Sequence, residues 1–412
     1  MKNYWVGMAL CAAALSSHAE TALTHWWDGQ YASGDWGGYR TELASQGYTL
    51  FAYYNAIVAS NVSGGIDHGT AYAQDVYWGA QFDLERLLGW KGTTFNLTGI
   101  NRAGHSIDND VGGIYSVMQL VGGQTTFLYG VSLEKKLLDD QLSIKLGRIT
   151  ATDDFAGSPL YSLYLNNSID GQIRAVLLDG VMTSYPFPVW GARVVYSPTP
   201  GFKAKVGVYQ LTKEMFNPDK HGLNFAFRSS DGVSVFTELD WLLDWNGKPG
   251  NFAVGLNSVS FDMPEFTSTK TTNPFFRFYL QGDQQVYQES PGSEQQGLVL
   301  FMTLAYADQQ QAALVPFQAS LGAVYQGLFP GRDKDKLIFG ATYGRLSQDY
   351  ADQQQALGNG RPTYEMPLEL GYRVQLNRFA YIQPDVQYVI RPGGTGDIPN
   401  ATVLGAQFGA SF

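Results

Sequence analysis

Cysteine is all but missing from this chain of 412 residues. The only one, Cys11, lies in the opening segment, so no disulfide framework can hold the rest together. Histidine is as scarce, at five. Past the opening segment, His25 stands in the lead-in, and His68, His105 and His221 stand in connections between strands. They are too scattered for a metal site, and none sits beside a serine on a strand as nucleophilic catalysis would need. The sequence therefore gives no reason to expect a catalytic residue, a metal or a cofactor. Basic residues are outnumbered, 27 against 37 acidic, for a net charge of −10. That leaves no basic stripe for nucleic acid. Nothing beyond the opening segment approaches a run of about 18 apolar residues, which excludes helical membrane spans.

What is present begins with MKNYWVGMALCAAALSSHA. A lone Lys2, an apolar run from Trp5 to Leu15 and a small-residue site before Glu20 predict a signal peptide over 1–19, cleaved after Ala19, and so an exported chain. Residues 20–47 form a polar lead-in on the periplasmic side, expected to be a short helix or plug with Trp26, Trp27 and Trp36 at an interface. Residues 48–412 show no linker or composition shift and are expected to be one domain. The Gln-rich pieces 309–311 and 353–355 are expected to be loop tips.

The last residues, ATVLGAQFGASF, put Thr402, Leu404, Ala406, Phe408, Ala410 and Phe412 on one face and mostly small or polar residues on the other. Such period-two alternation ending on an aromatic suits a strand with lipid on one side and water on the other. Comparable segments fall near 48–58, 71–84, 92–103, 124–137, 141–149, 189–197, 201–211, 233–244, 250–262, 275–288, 296–307, 316–328, 336–347, 363–376, 379–391 and 401–412. Sixteen is an even number, as a closed antiparallel barrel requires. The connections are short and long by turns, the longest being 104–123, 150–188 and 212–232. The expected fold is all-β: a transmembrane antiparallel barrel of about sixteen strands, with short periplasmic turns, long outer loops and a helical lead-in.

Parity then sorts the side chains. A basic residue facing lipid near the midplane would cost about 2–4 kcal/mol, so the polar set must face inward. The inward charges expected are Arg102, Lys145, Arg193, Lys203, Lys205, Arg277, Arg373 and Arg391 against Asp75, Asp83, Glu134, Glu238, Asp240, Glu365, Glu369 and Asp385. A mixed-sign lumen favours neutral polar solutes over anions. Strict parity would turn Arg148 outward with Leu142, Ile144 and Leu146; a bulge at Gly147, or the strand ending there, would bring it inward. Arg345 raises the same problem and is expected at the polar rim. The long connection 150–188, with Asp153, Asp154, Asn166 and Arg174, is expected to fold into the barrel and narrow it. The residues expected to line the pore are thus Arg102, Glu134, Arg148, Asp153, Asp154, Asn166, Arg174, Glu238, Glu365, Glu369, Arg373, Asp385 and Arg391.

Several motifs resemble the carbohydrate-selective porins of the OprB family. They are Asp35-Trp36-Gly37-Gly38-Tyr39-Arg40 with Leu43 and Gly47; Gly147-Arg148 followed by Asp154-Phe155-Ala156; Gly331-Arg332-Asp333 with Asp335; and Gln383-Pro384-Asp385-Val386-Gln387-Tyr388 with Pro392-Gly393-Gly394. The resemblance implies a sixteen-stranded barrel in the Gram-negative outer membrane that admits small sugars past a waist of arginine and acidic side chains. Phe379 departs from the pattern, where Trp is expected. The solute partners implied are small carbohydrates, with outer-membrane lipids around the barrel and no nucleic acid. A general or weakly anion-preferring pore of the same architecture is the alternative. Both a monomer and a homotrimer are compatible with the sequence.

Overall fold

The computed structural model describes residues 26–120, 122, 124–178, 183–212, 214–289 and 296–412. The signal peptide read at 1–19, with Cys11, and His25 lie outside the described residues. Sixteen antiparallel strands form one closed barrel in which sequence neighbours pair, and the first strand, Tyr48–Ser63, pairs with the last, Ala401–Ser411. Closure leaves no edge, so every strand satisfies its main-chain groups on both sides. Strand bounds fall close to those read from the alternation. The largest difference is in the first strand, which runs on to Ser63. The pieces at 353–355 are not a loop tip: Gln348–Ala356 is a helix, opened by the Ser347 hydroxyl accepting from the Tyr350 N–H and packed through Tyr350 on Phe266. That helix and a two-stranded ribbon, Met263–Pro264 with Thr271–Thr272, cover part of the long-loop end.

The outward face is greasy and accessible. Leu321, Leu370, Leu404, Phe278 and Phe339 stand out from the wall without protein over them. The inward face is not uniformly polar. Two long connections fold into the barrel, their described parts lying within 105–120 and 150–178, and press apolar undersides on the wall. Ile107, Val117 and Met118 meet Ile57, Val389 and Val403. Phe155, Ile173 and Val176 meet Val189, Phe236 and Tyr279. Tyr161, Tyr164 and Ile169 meet Phe301, Val324 and Ile338. Each such side chain removed from water contributes about 1.5–3 kcal/mol, which holds the connections inside.

The lead-in is tied to the seam where the barrel closes. A single turn, Trp36–Gly38, runs into the helix Tyr39–Gln46. Arg40 is buried there, donating to the main-chain oxygens of Leu50 and Phe412 at 3.0 and 2.6 Å. Its guanidinium lies 3.7 Å from the Tyr31 ring centroid and 4.7 Å from that of Trp36. Trp26 rests on Phe379, ring centroids 5.1 Å apart. The Ala32 N–H donates to Ser411 O.

Arg40 thus joins the first and last strands through two charge-assisted bonds, each worth about 1.5–3 kcal/mol. Arg40→Ala should lower the temperature at which the barrel loses its compact gel mobility, with the seam opening first. An unchanged transition would show that closure does not depend on this contact.

Candidate functional site

A main-chain segment inside a barrel has no ladder to satisfy its N–H and C=O groups, so the wall must supply partners. It does so with carboxylates and amides. Glu365 accepts from the N–H groups of Ile114, Tyr115 and Gly393 at 2.7, 3.0 and 2.8 Å. Glu369 accepts from Leu165 and Asn166 at 2.6 and 3.0 Å. Glu238 accepts from the Ala156 N–H and the Tyr279 hydroxyl. Gln318 accepts from the Ala175 N–H and donates to Ser168 O. Gln383 donates to Leu163 O, and Gln387 to Val117 O. Asp154 is gripped by Lys145 at 2.8 Å and by Arg193 at 3.1 Å, and Arg193 also reaches Glu134 at 3.1 Å. The two infolded segments are sewn together as well. The Asn167 N–H donates to Ser116 O, the Gln119 N–H to Leu165 O, and the Ser116 N–H to the Asn167 side chain.

What remains open is a cavity of about 860 Å³ between the joined segments and the wall of the first three and last three strands. Asn55, Asp75, Arg102, Arg373, Tyr381 and Gln407 line it from the wall. Asp108, Asp153, Asn167, Asp170, Arg174 and Tyr185 line it from the infolded segments, and Phe187 and Phe216 stand toward the long-loop end. Three guanidiniums therefore meet four carboxyls around one cavity. Asp75 sits 4.0 Å from Arg102 and accepts from Tyr185 at 2.9 Å and Asn55 at 3.0 Å. Arg102 lies over Tyr185, 4.8 Å from its ring centroid. Arg373 lies over Tyr381, 4.0 Å from its ring centroid, donates to Gln383, and reaches Ser162 O and Gln407 at 3.4 Å. Arg174 opens the short helix Arg174–Leu178. Asp170, on the infolded connection and outside the strands, is lifted to about 8 by its removal from bulk water and by Asp75, against the pull of Arg102, Arg373 and Arg174.

The residues expected to line the pore separate into three groups. Arg102, Asp153, Arg174 and Arg373 border the cavity. Glu238, Glu365 and Glu369 face inward but hold the infolded segments, Asp154 is the infolded partner of the wall's Lys145 and Arg193, and Glu134 pairs with Arg193 and Ser143 along the wall. Asn166 is buried with them, giving its N–H to Glu369 and its amide to Gln387, and Asp385 accepts from Gln387. Arg148 and Arg391 are corrections. No bulge forms at Gly147: the register runs through Ser132↔Gly147 and Val131↔Arg148. Gly147 takes φ 143, and a Cβ there would fall 2.1 Å from Val131 O. Arg148 keeps the outward parity, paired with Trp190, and is hidden by the outer loop. It donates to Pro188 O and Gly222 O beneath Phe225. Arg391 lies past the end of its strand and closes the turn that follows, donating to Gly394 O and Thr395 O. Asp83, expected inward, caps the turn helix Leu84–Leu88 and pairs with Arg86 at 3.1 Å. Tyr185 and Tyr381 were missed as lining residues because aromatics carry no parity signal of their own in so aromatic a chain. Asp170 is one of several acids in its loop, and nothing in the sequence separates it from them as a lining residue.

The carbohydrate-selective porin family, OprB, matches residues 67–412. Porin B of Pseudomonas aeruginosa is 28% identical, over 98% of this chain and 96% of that protein. The putative porin QuiX of Acinetobacter baylyi is 26% identical over the full length of both. The high-pH structure of Pseudomonas putida OprB superposes with a TM-score of 0.89 at 26% identity, covering 94% of this chain and all of that one. The chain belongs to the carbohydrate-selective porin family, a family of channels.

Removing Glu369 leaves two buried N–H donors unpaired, at about 1–3 kcal/mol each. Glu369→Ala should therefore loosen the segment around Leu165, and single channels should show higher and noisier conductance; a quiet, unchanged trace would contradict the anchoring role. As pH rises through about 8, Asp170 gains a negative charge beside the guanidiniums, so preference for cations should grow between about pH 6 and pH 10. Reversal potentials under a salt gradient would show the step, and Asp170→Asn should remove it.

Proposed function

We propose that this porin lets small neutral sugars diffuse passively across the outer membrane, through the narrowed polar channel just described. One observation carries the reading: the open passage is bordered by arginines, carboxyls and amides of both signs beside tyrosine faces. A sugar crossing a narrow passage must shed water from its hydroxyls. Guanidiniums offer paired donors in a fixed fork, carboxylates and amides offer acceptors, and aromatic faces suit its C–H surface. Mixed signs keep the net field small, so an uncharged solute is not disfavoured against an ion. Binding has to be weak, because a tightly held solute would not leave. Flux then follows the concentration gradient.

The greasy outer wall supports placement in a lipid bilayer, with the short turns and the lead-in on the periplasmic side and the long loops outside. Residues 1–19 would direct export and then be removed. A second reading, a general pore with weak anion preference, draws on the guanidiniums of Arg102, Arg174 and Arg373 at pH values where Asp170 is uncharged.

The two readings separate in planar bilayers. Under the sugar reading, monosaccharides block the ion current reversibly at about millimolar concentration, while reversal potentials show little ion preference. Sugar-loaded liposome swelling should fall steeply from mono- to trisaccharides. An anion-weighted reversal potential with no block by any sugar would favour the general pore.

A further inference from the structure

We infer a second sugar subsite on the short-turn side of the arginine level, formed by Phe51, Tyr53 and Tyr77, that takes the apolar face of a pyranose ring; it rests on the sugar reading above. The strand register places it. Asn55 pairs with Asp75, and Asp75 with Arg102, which fixes the charged level of the channel. Tyr53 pairs with Tyr77 two residues nearer the short turns. Two residues along a strand is about 6–7 Å, roughly the span of one sugar ring.

The three rings form a continuous inward surface. Tyr53 and Tyr77 are near parallel, 21° between planes and 6.3 Å between centroids. Phe51 lies 6.0 Å from Tyr53 and 5.6 Å from Tyr77. Gly79, opposite Phe51 on the next strand, makes room for its ring: a Cβ there would come within 2.5 Å of it. Tyr77 continues the surface to Tyr129 and Tyr185, at 5.6 and 6.3 Å, and so back to the arginine level.

Core packing does not account for this arrangement. Tyr129 is buried, but Tyr53 remains 45% exposed although it points into the barrel. A large ring left half in water forgoes much of the stabilisation that burial would give. The space beside it is a cavity of about 310 Å³, lined by Tyr53, Tyr77, Tyr129 and Tyr185 with the polar groups of Asn55 and Asp153. That lies at the lower end of small-molecule sites, about 300–1,000 Å³. Flat apolar faces with acceptors at their edge match a ring that has a C–H face and equatorial hydroxyls. An acyclic polyol has the same hydroxyls but no such face.

The test compares current block by a hexopyranose and by its acyclic hexitol in wild type, Tyr53→Ala and Phe51→Leu; the last keeps apolar volume but loses the flat face. Sugar-free conductance is measured first, to establish that each variant forms a channel. Both variants should weaken pyranose block about 3- to 10-fold and leave hexitol block alone. Equal weakening for both solutes, or none for either, overturns the subsite. If Arg174→Ala weakens pyranose block and neither aromatic variant does, only the subsite falls. If wild type shows no pyranose block at all, the sugar reading falls and the subsite with it.

Discussion

The width of this channel depends on main-chain amides that have no strand to pair with. Closure of the barrel settles the hydrogen bonds of the wall, but segments within 105–120 and 150–178 run through its interior, where an unpaired N–H costs about 1–3 kcal/mol. Glu365 and Glu369 on one strand and Glu238 on another, well round the barrel, accept those amides, and Gln318, Gln383 and Gln387 together serve further N–H and C=O groups. The apolar undersides of the segments add adhesion without direction. The carboxylates add the direction, and so fix where each segment's outer edge falls. That edge is one bank of the passage.

The barrel was readable from the sequence because alternation is forced on every strand by unlike surroundings, and because the loop lengths repeat with the same two-stroke rhythm. The site was readable only in part. Glu369 and Arg373 share a strand and a face, yet Glu369 lies beneath Leu165 and Asn166 while Arg373 borders open space. Parity reports the face of a residue, and it is silent on whether water or another segment covers that face. The missing information is a contact between residues some two hundred positions apart. A trace of it was there: Ile57, Val389 and Val403 are apolar on the inward face, which an open aqueous lumen would not favour. Apolar residues on both faces of a barrel strand mark where something folds in. Arg148 departs for the opposite reason. Its charge suggests an inward turn, whereas the loop that carries Gly222 covers it without altering the register.

Two kinds of charged residue thus share one interior. Lys145, Arg193, Lys205 and their carboxylate partners are paired at 2.6–3.1 Å and are committed to structure. Breaking a buried pair costs about 3–5 kcal/mol, far more than a weakly held solute could repay by taking a partner's place. Arg373 is different. Its guanidinium lies 4.0 Å from the Tyr381 ring centroid, donates to Gln383, and reaches Ser162 O and Gln407 at 3.4 Å. It is thus held beside the cavity by a ring and neutral acceptors and not by a close ion pair.

The inner surface is shaped as much by missing side chains as by present ones. The aromatic faces can lie along the wall only where the neighbouring strand has no Cβ. At Gly409 a Cβ would fall 2.1 Å from the Tyr381 ring, at Gly79 2.5 Å from Phe51, and at Gly340 2.6 Å from Tyr164. Any other residue would tip the ring off the wall. For Tyr164 that would push the infolded segment away from its seat; for Tyr381 it would move the platform beneath Arg373. A chain with 47 glycines spends some of them on turns, but these three stand in strands with ordinary backbone angles. Their role is spatial. By letting bulky rings lie flat, they allow a sixteen-stranded wall to hold two infolded segments and still keep a passage open beside them.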